Sequence, residues 1–154
     1  MKKQILLIGG AGYIGAVLTG HLLSKGYVVK SLDALIYSQH KSKDFYSKNK
    51  NYKFIFGDIR NELLVEDSLK QVDDVVILAG LVGDPITKKY PKEAKAINYF
   101  AIKNLIKKCT NKNLGKVIFI STCSNYGIIK NEDKADENYN LNPSLFFCCL
   151  GAGL

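Results

Sequence analysis

Residues 4–15 read QILLIGGAGYIG: an apolar run from Ile5 to Ile8, then glycines at 9, 10, 12 and 15. An apolar run without alternation, closed by glycine, is the pattern of a strand buried on both faces. Directly behind it, Ile14, Val17, Leu18, Leu22 and Leu23 recur at helical spacing between Tyr13 and Ser24, and Gly26 stands where a helix-closing glycine belongs. The chain therefore opens as strand, glycine turn, helix.

The alternation continues. YVVKSL (27–32) reads as a second strand and, after a polar lysine-rich loop, YKFIF (52–56) as a third. A helical stretch near residues 61–71 leads into DVVILA (74–79), the fourth strand, and KVIFIS (116–121) is the fifth. Between these last two, residues 91–109 form a long amphipathic helix with Ala94, Ile97, Ala101, Ile102, Leu105 and Ile106 on one stripe and Lys92, Lys95, Lys103 and Lys107 facing outward. Apolar strands alternating with helices predict an α/β fold: a Rossmann-type doubly wound parallel sheet, order 3-2-1-4-5, covered on both faces.

Composition narrows the class. At 154 residues the chain reads as one soluble domain, and 47% hydrophobic against 23% charged residues gives no sign of disorder. The net charge of +8 comes from scattered lysines with a single arginine, Arg60, and no nucleic-acid reader motif accompanies it. We read it as a solvated surface, not a nucleic-acid interface. Cys109, Cys123, Cys148 and Cys149 have neither metal-site nor disulfide spacing, so a reducing cytoplasm and no metal are expected. The apolar run near the amino terminus is too short for a signal peptide, and no stretch approaches the roughly 20 apolar residues of a membrane span.

The glycines carry the first chemistry. Gly9 permits a tight turn, Gly12 lets backbone approach a pyrophosphate, and Gly15 lets helix and strand pack closely, while the helix N-terminus supplies N–H groups and the positive end of its dipole. Asp33 ends the second strand about 20 residues later, where a carboxylate accepts hydrogen bonds from an adenosine ribose and repels a 2'-phosphate. NAD is therefore expected in preference to NADP. The competing role for Asp33 is a turn or cap.

The sequence GGAGYIG resembles the extended short-chain dehydrogenase/reductase family, the NAD-dependent nucleotide-sugar epimerases and dehydratases, and further stretches agree in order and spacing. The resemblance implies that Tyr13 and Ile14 complete the phosphate loop. In FGDIR (56–60), Asp58 would bond the adenine amino group and Ile59 pack nearby; the alternative is that Asp58 caps the following helix. ILAGLVGDP (77–85) resembles the loop beneath the cofactor, contributing Leu78, Ala79 and Gly80, with Ile77 in place of the frequent histidine. Asn98 matches the family's asparagine in the next helix, and STCSNYG (121–127) resembles the serine/threonine-rich end of the fifth strand, with Ser121 at the cofactor and Thr122 at the position that orients the reacting oxygen. A solvated turn is the alternative there. Cys123 reads as inert, and His21 and His40 take no role.

In this family a tyrosine, helped by a lysine four residues later, moves a proton from a sugar hydroxyl while NAD accepts hydride. The matching window here is Phe147-Cys148-Cys149-Leu150-Gly151, with Phe147 and Gly151 in place of tyrosine and lysine. Family-like sequence runs to about residue 143; residues 144–154, ending CCLGAGL, read as an aberrant tail left by a frameshift or a truncated gene. The expectation is an NAD-binding domain, incomplete at its carboxyl end and without a substrate domain, inactive alone. Its full-length relative would act on a nucleotide sugar and pair as a homodimer. Cys123 and Ser124 stand where dehydratases carry an Asp-Glu pair, which favours an epimerase or reductase. The alternative is a non-catalytic protein that binds NAD or a partner.

Overall fold

A computed structural model describes residues 2–37, 44–127 and 134–142. In chain order they form β1 (Gln4–Ile8), α1 (Tyr13–Ser24), β2 (Val28–Asp33), β3 (Tyr52–Phe56), α2 (Glu62–Ser68), β4 (Asp74–Ile77), α3 (Asp84–Lys89), α4 (Pro91–Lys95), a π-helical segment (Ala96–Ala101), α5 (Ile102–Thr110), β5 (Lys116–Phe119) and a 3-10 turn (Cys123–Tyr126). The five strands make one parallel sheet in the order β3-β2-β1-β4-β5. The expected Rossmann-type order is the observed one. The direction of strand addition reverses between β1 and β4, which is where doubly wound sheets bind ligands.

Contacts group the chain into two compact units, one of Met1–Gly80 with Asn104–Ile120, the other of Leu81–Lys103 with Ser121–Leu154. The first holds the sheet. Its centre is the apolar run that opened the sequence: Leu6, Leu7 and Ile8 of β1, Val29 and Leu32 of β2, and Val75 and Ile77 of β4 have no exposed surface. Leu18, Leu22 and Leu23 of α1 pack against a cluster of Ile5, Leu7, Val29 and Val76. The helix ends as predicted. Gly26, at φ +85°, donates its N–H to the Leu23 carbonyl (3.0 Å), and the Tyr27 N–H reaches Leu22 (3.1 Å), a Schellman closure.

Three expectations need correction. Ile14 and Val17 are not on the buried stripe of α1 but 57% and 71% exposed, because the helix turns its small residues, Gly15 and Thr19, toward the sheet. The helix expected over 91–109 is interrupted by the π-helical segment, although the residues of its apolar stripe, Ala94, Ile97, Ala101, Ile102 and Leu105, are buried as expected. Finally, β5 is not covered on both faces. Val117 and Ile118 are 42% and 46% exposed, on a strand that forms the sheet's edge. The short helix α3, which starts at Asp84–Pro85, had no periodicity long enough to announce it. Among the described residues no helix is long and apolar enough to cross a membrane.

Candidate functional site

In the first unit, the carboxyl ends of β1, β2 and β4 are laced together by backbone bonds. The Gly9 N–H donates to Leu32 O and the Leu78 N–H to Ile8 O, both at 2.8 Å. Gly9 has φ +84°, and a Cβ there would lie 2.7 Å from the Ala79 nitrogen, so both conformation and space demand glycine. A Cβ on Gly15 would lie 2.5 Å from Gly9 O and 2.6 Å from Gly10 Cα: here helix and loop touch. Gly12 differs from both. Its φ of −69° and ψ of 176° suit any residue, and an added Cβ would meet only Gly9 O, at 3.2 Å.

Gly12 is also the N-cap of α1. It has no side chain to cap the helix, and the first turn carries no acidic residue. The first-turn N–H groups of such a helix are suited to an anion. Tyr13 and Ile14, the first two helical residues, are exposed beside it.

Asp33 ends β2 and holds the loop from the side. One carboxylate oxygen accepts the Ala11 N–H at 2.9 Å and the other the Leu35 N–H at 2.7 Å. Each oxygen has a further acceptor position, so anchoring the loop leaves capacity for a ligand hydroxyl. Leu35 pays for the turn with φ +54°, a left-handed conformation uncommon for a branched residue.

Asp58, beyond β3, is gripped by Arg60: one oxygen accepts the Arg60 backbone N–H (2.8 Å) and Nε (2.9 Å), the other Nη2 (2.6 Å). The guanidinium's hydrogen bonds hold this carboxyl below the usual carboxylate range, with burial opposing. It does not cap α2. That is done by Asn61, whose side-chain oxygen accepts the Leu64 N–H at 3.1 Å. Ile59 is buried, while Leu78, Ala79 and Gly80 after β4 are half-buried.

In the second unit, Asn98 lies within the π-helical segment and clamps Leu81, accepting its N–H and donating to its carbonyl, both at 2.8 Å. Its amide is thus a backbone clasp on the loop after β4. Ser121 accepts a bond from Asn125 Nδ2 at 2.9 Å, and Thr122, exposed, accepts the Asn125 N–H through its carbonyl at 3.3 Å. Asn125 in turn receives the Asn142 N–H on its own carbonyl at 3.0 Å. Phe147, Gly151, Cys148, Cys149, His40 and the tail 144–154 lie outside the described residues. Cys109 is buried, and burial pushes its thiol above the ordinary range.

Sequence reasoning missed three residues that shape this region. Gly10 lies over the buried Ser31, whose side chain an added Cβ would strike. The doubled glycine at 9 and 10 was the available signal. Leu35 and Asn125 had none, because left-handed strain and a buried amide are products of the folded loop.

The first unit fits the ADP half of a dinucleotide on two observations: Gly12 is the glycine of the loop that the protein's own atoms crowd least, and the carboxylate of Asp33 is fixed beside the glycine loop through Ala11.

Residues 5–145 match the family model described as the NAD dependent epimerase/dehydratase family. A UDP-glucose 4-epimerase of Rickettsia bellii is 30% identical over 126 residues, covering 79% of this chain and 37% of the relative. That of Lactobacillus helveticus is 32% identical, covering 91% and 41%. Among solved structures, a UDP-N-acetylglucosamine 4-epimerase from Methanobrevibacter ruminantium M1 superposes with a TM-score of 0.87 at 28% identity, covering 99% of this chain and 48% of that one. The chain spans less than half the length of these relatives.

Proposed function

This chain belongs to the NAD dependent epimerase/dehydratase family, and on that premise we propose that its first unit holds the adenosine and pyrophosphate half of NAD. Gly12 admits the pyrophosphate to the N-terminus of α1, Asp33 accepts the ribose hydroxyls, and Asp58 and Ile59 serve the adenine. Leu78, Ala79 and Gly80 run beneath the cofactor, and Asn98 fixes the continuation of that loop at Leu81. Ser121 is the cofactor contact of the second unit. The geometry at Gly12 carries the reading: its backbone conformation needs no glycine, and an added Cβ would press on Gly9 O alone, at 3.2 Å, so a closely approaching pyrophosphate accounts for glycine where the fold asks for it least.

In a full-length relative the substrate class is a nucleotide sugar. NAD, when bound, supplies the hydride acceptor for a sugar carbon; Thr122 orients the reacting oxygen. Cys123 and Ser124 in place of an acidic pair favour epimerisation or reduction over water loss, and two copies pair through helices of this domain. Phe147 and Gly151 offer neither an exchangeable phenol proton nor an ammonium, so this chain binds NAD without turning over substrate.

Calorimetry with NAD on the purified chain tests the binding, with Gly12→Val as its control. Heat from the unmodified chain and none from Gly12→Val is expected; equal heats remove the phosphate-loop assignment. Incubation with UDP-glucose and NAD tests the rest, since formation of UDP-galactose would overturn the non-catalytic reading.

A further inference from the structure

The sheet carries a second cationic feature, away from the glycine loop. Lys30 on β2 and Lys53 on β3 are register partners, side by side on the parallel ladder. With Ile55 of β3 and with Asp67, Lys70 and Gln71 at the end of α2, they line a cleft of about 550 Å³. Lys30 is pinned there, its ammonium donating to the Lys70 carbonyl at 2.6 Å. The one carboxylate in the lining, Asp67, is held by the Lys70 ammonium at 2.8 Å. Three ammonium groups therefore face one carboxylate.

Such an arrangement is unfavourable by itself. Like charges placed opposite one another across strands destabilise a sheet. Burial lowers the Lys30 pKa from the ordinary lysine value, and Lys53 lowers it further. Lys30 and Lys53 are the one pair of like charges in the β2–β3 register, whose other pairs join Val29 to Tyr52, Ser31 to Phe54, Leu32 to Ile55 and Asp33 to Phe56. A dianion in the cleft would balance the surplus charge, and two of the three Lys30 protons are not committed to the Lys70 carbonyl.

We propose that this cleft is a second anion site, built for a dianionic phosphate group held by Lys30, Lys53 and Lys70. It is separate from the dinucleotide site. Lys30 and Lys53 lie in the first halves of their strands, and the Gln71 carbonyl bonds the side chain of Gln4 at the start of β1, so the cleft opens toward the amino ends of the strands. Gly9 and Asp33 stand at the carboxyl ends.

The test is a titration of the whole chain, followed by backbone amide NMR at constant ionic strength, with inorganic phosphate in one arm and ribose 5-phosphate in the other. Saturable shifts confined to the amides around residues 30, 53, 55 and 67–71 are expected, weakened about fivefold in Lys53→Gln, a loss of one nearby charge. Asp67→Asn should bind more tightly, which keeps the test informative if Lys53→Gln fails to fold. Tighter binding of inorganic phosphate assigns the free ion, and tighter binding of ribose 5-phosphate assigns a phosphomonoester. Shifts that do not saturate, that spread evenly over the surface lysines, or that are unchanged in both variants overturn the proposal.

Discussion

Asp33 and Ala11 are joined across the phosphate loop: a carboxylate oxygen at the end of β2 accepts the Ala11 N–H at 2.9 Å, from 22 residues away in sequence. The acidic residue thus orders the loop, whatever it also offers the proposed cofactor. Asp33→Ala removes this bond and the one to Leu35 together, and a hydrogen bond to a charged group contributes about 1.5–3 kcal/mol. Urea unfolding should show a loss of about 3–6 kcal/mol for the two bonds together, accompanied by at least about tenfold weaker NAD binding. Asp33→Asn keeps one acceptor oxygen and should recover part of the stability. Unchanged NAD affinity in Asp33→Ala would remove the residue from the site.

Two glycines of the same motif should respond in opposite ways. At Gly15, alanine puts a Cβ 2.5 Å from Gly9 O and 2.6 Å from Gly10 Cα, so helix and loop must separate. A cost of about 1–3 kcal/mol is expected in denaturant melts. At Gly12 the conformation is ordinary and the nearest protein atom is 3.2 Å away, so Gly12→Ala should leave the melt within about 1 kcal/mol of the parent while weakening NAD binding. Comparable melts for the two variants would contradict this division.

How far the sequence could be read follows from the same contrast. The parallel sheet was legible because β1 and β4 bury apolar residues without alternation, and α1 because Gly26 closes it. The glycine loop was legible because glycine is needed there for geometry and for space. Features produced by long-range contact were not. The π-helical segment leaves the apolar stripe of residues 91–109 intact and so has no signature in it, and the grip of Arg60 on Asp58 depends on side-chain reach after β3. Asn98 was singled out, but its clasp on Leu81 needs a loop that folds back from 17 residues earlier.

That clasp gives a third prediction. Leu81 is 6% exposed, and Asn98 satisfies both its N–H and its carbonyl. Asn98→Leu has similar size and offers neither partner, leaving two buried polar groups unpaired at about 1–3 kcal/mol each. The expected result is a loss of about 2–4 kcal/mol in urea unfolding, with faster hydrogen exchange at the Leu81 amide. Asn98→Asp retains the acceptor and should protect that amide better than leucine does. If Leu81 exchanges no faster in Asn98→Leu, the clasp is not what holds the loop.

Acid should act through Asp58. Its carboxyl is held below its ordinary value of 3.8, by the Arg60 hydrogen bonds before all else. The folded pKa is thus depressed relative to the unfolded one, so the stabilisation is fully present above the unfolded value and is lost as pH falls through the folded value. Between neutral pH and about pH 5 the pair should contribute no slope; below about pH 4 it should add to the acid limb of the stability curve. Because the pair is partly exposed, the contribution should shrink at high salt. Arg60→Met should flatten that limb, and Asp58→Asn should flatten it equally. A curve in Arg60→Met that stays parallel to the parent from pH 5 down to pH 2 would show that the ion pair does not set the Asp58 pKa.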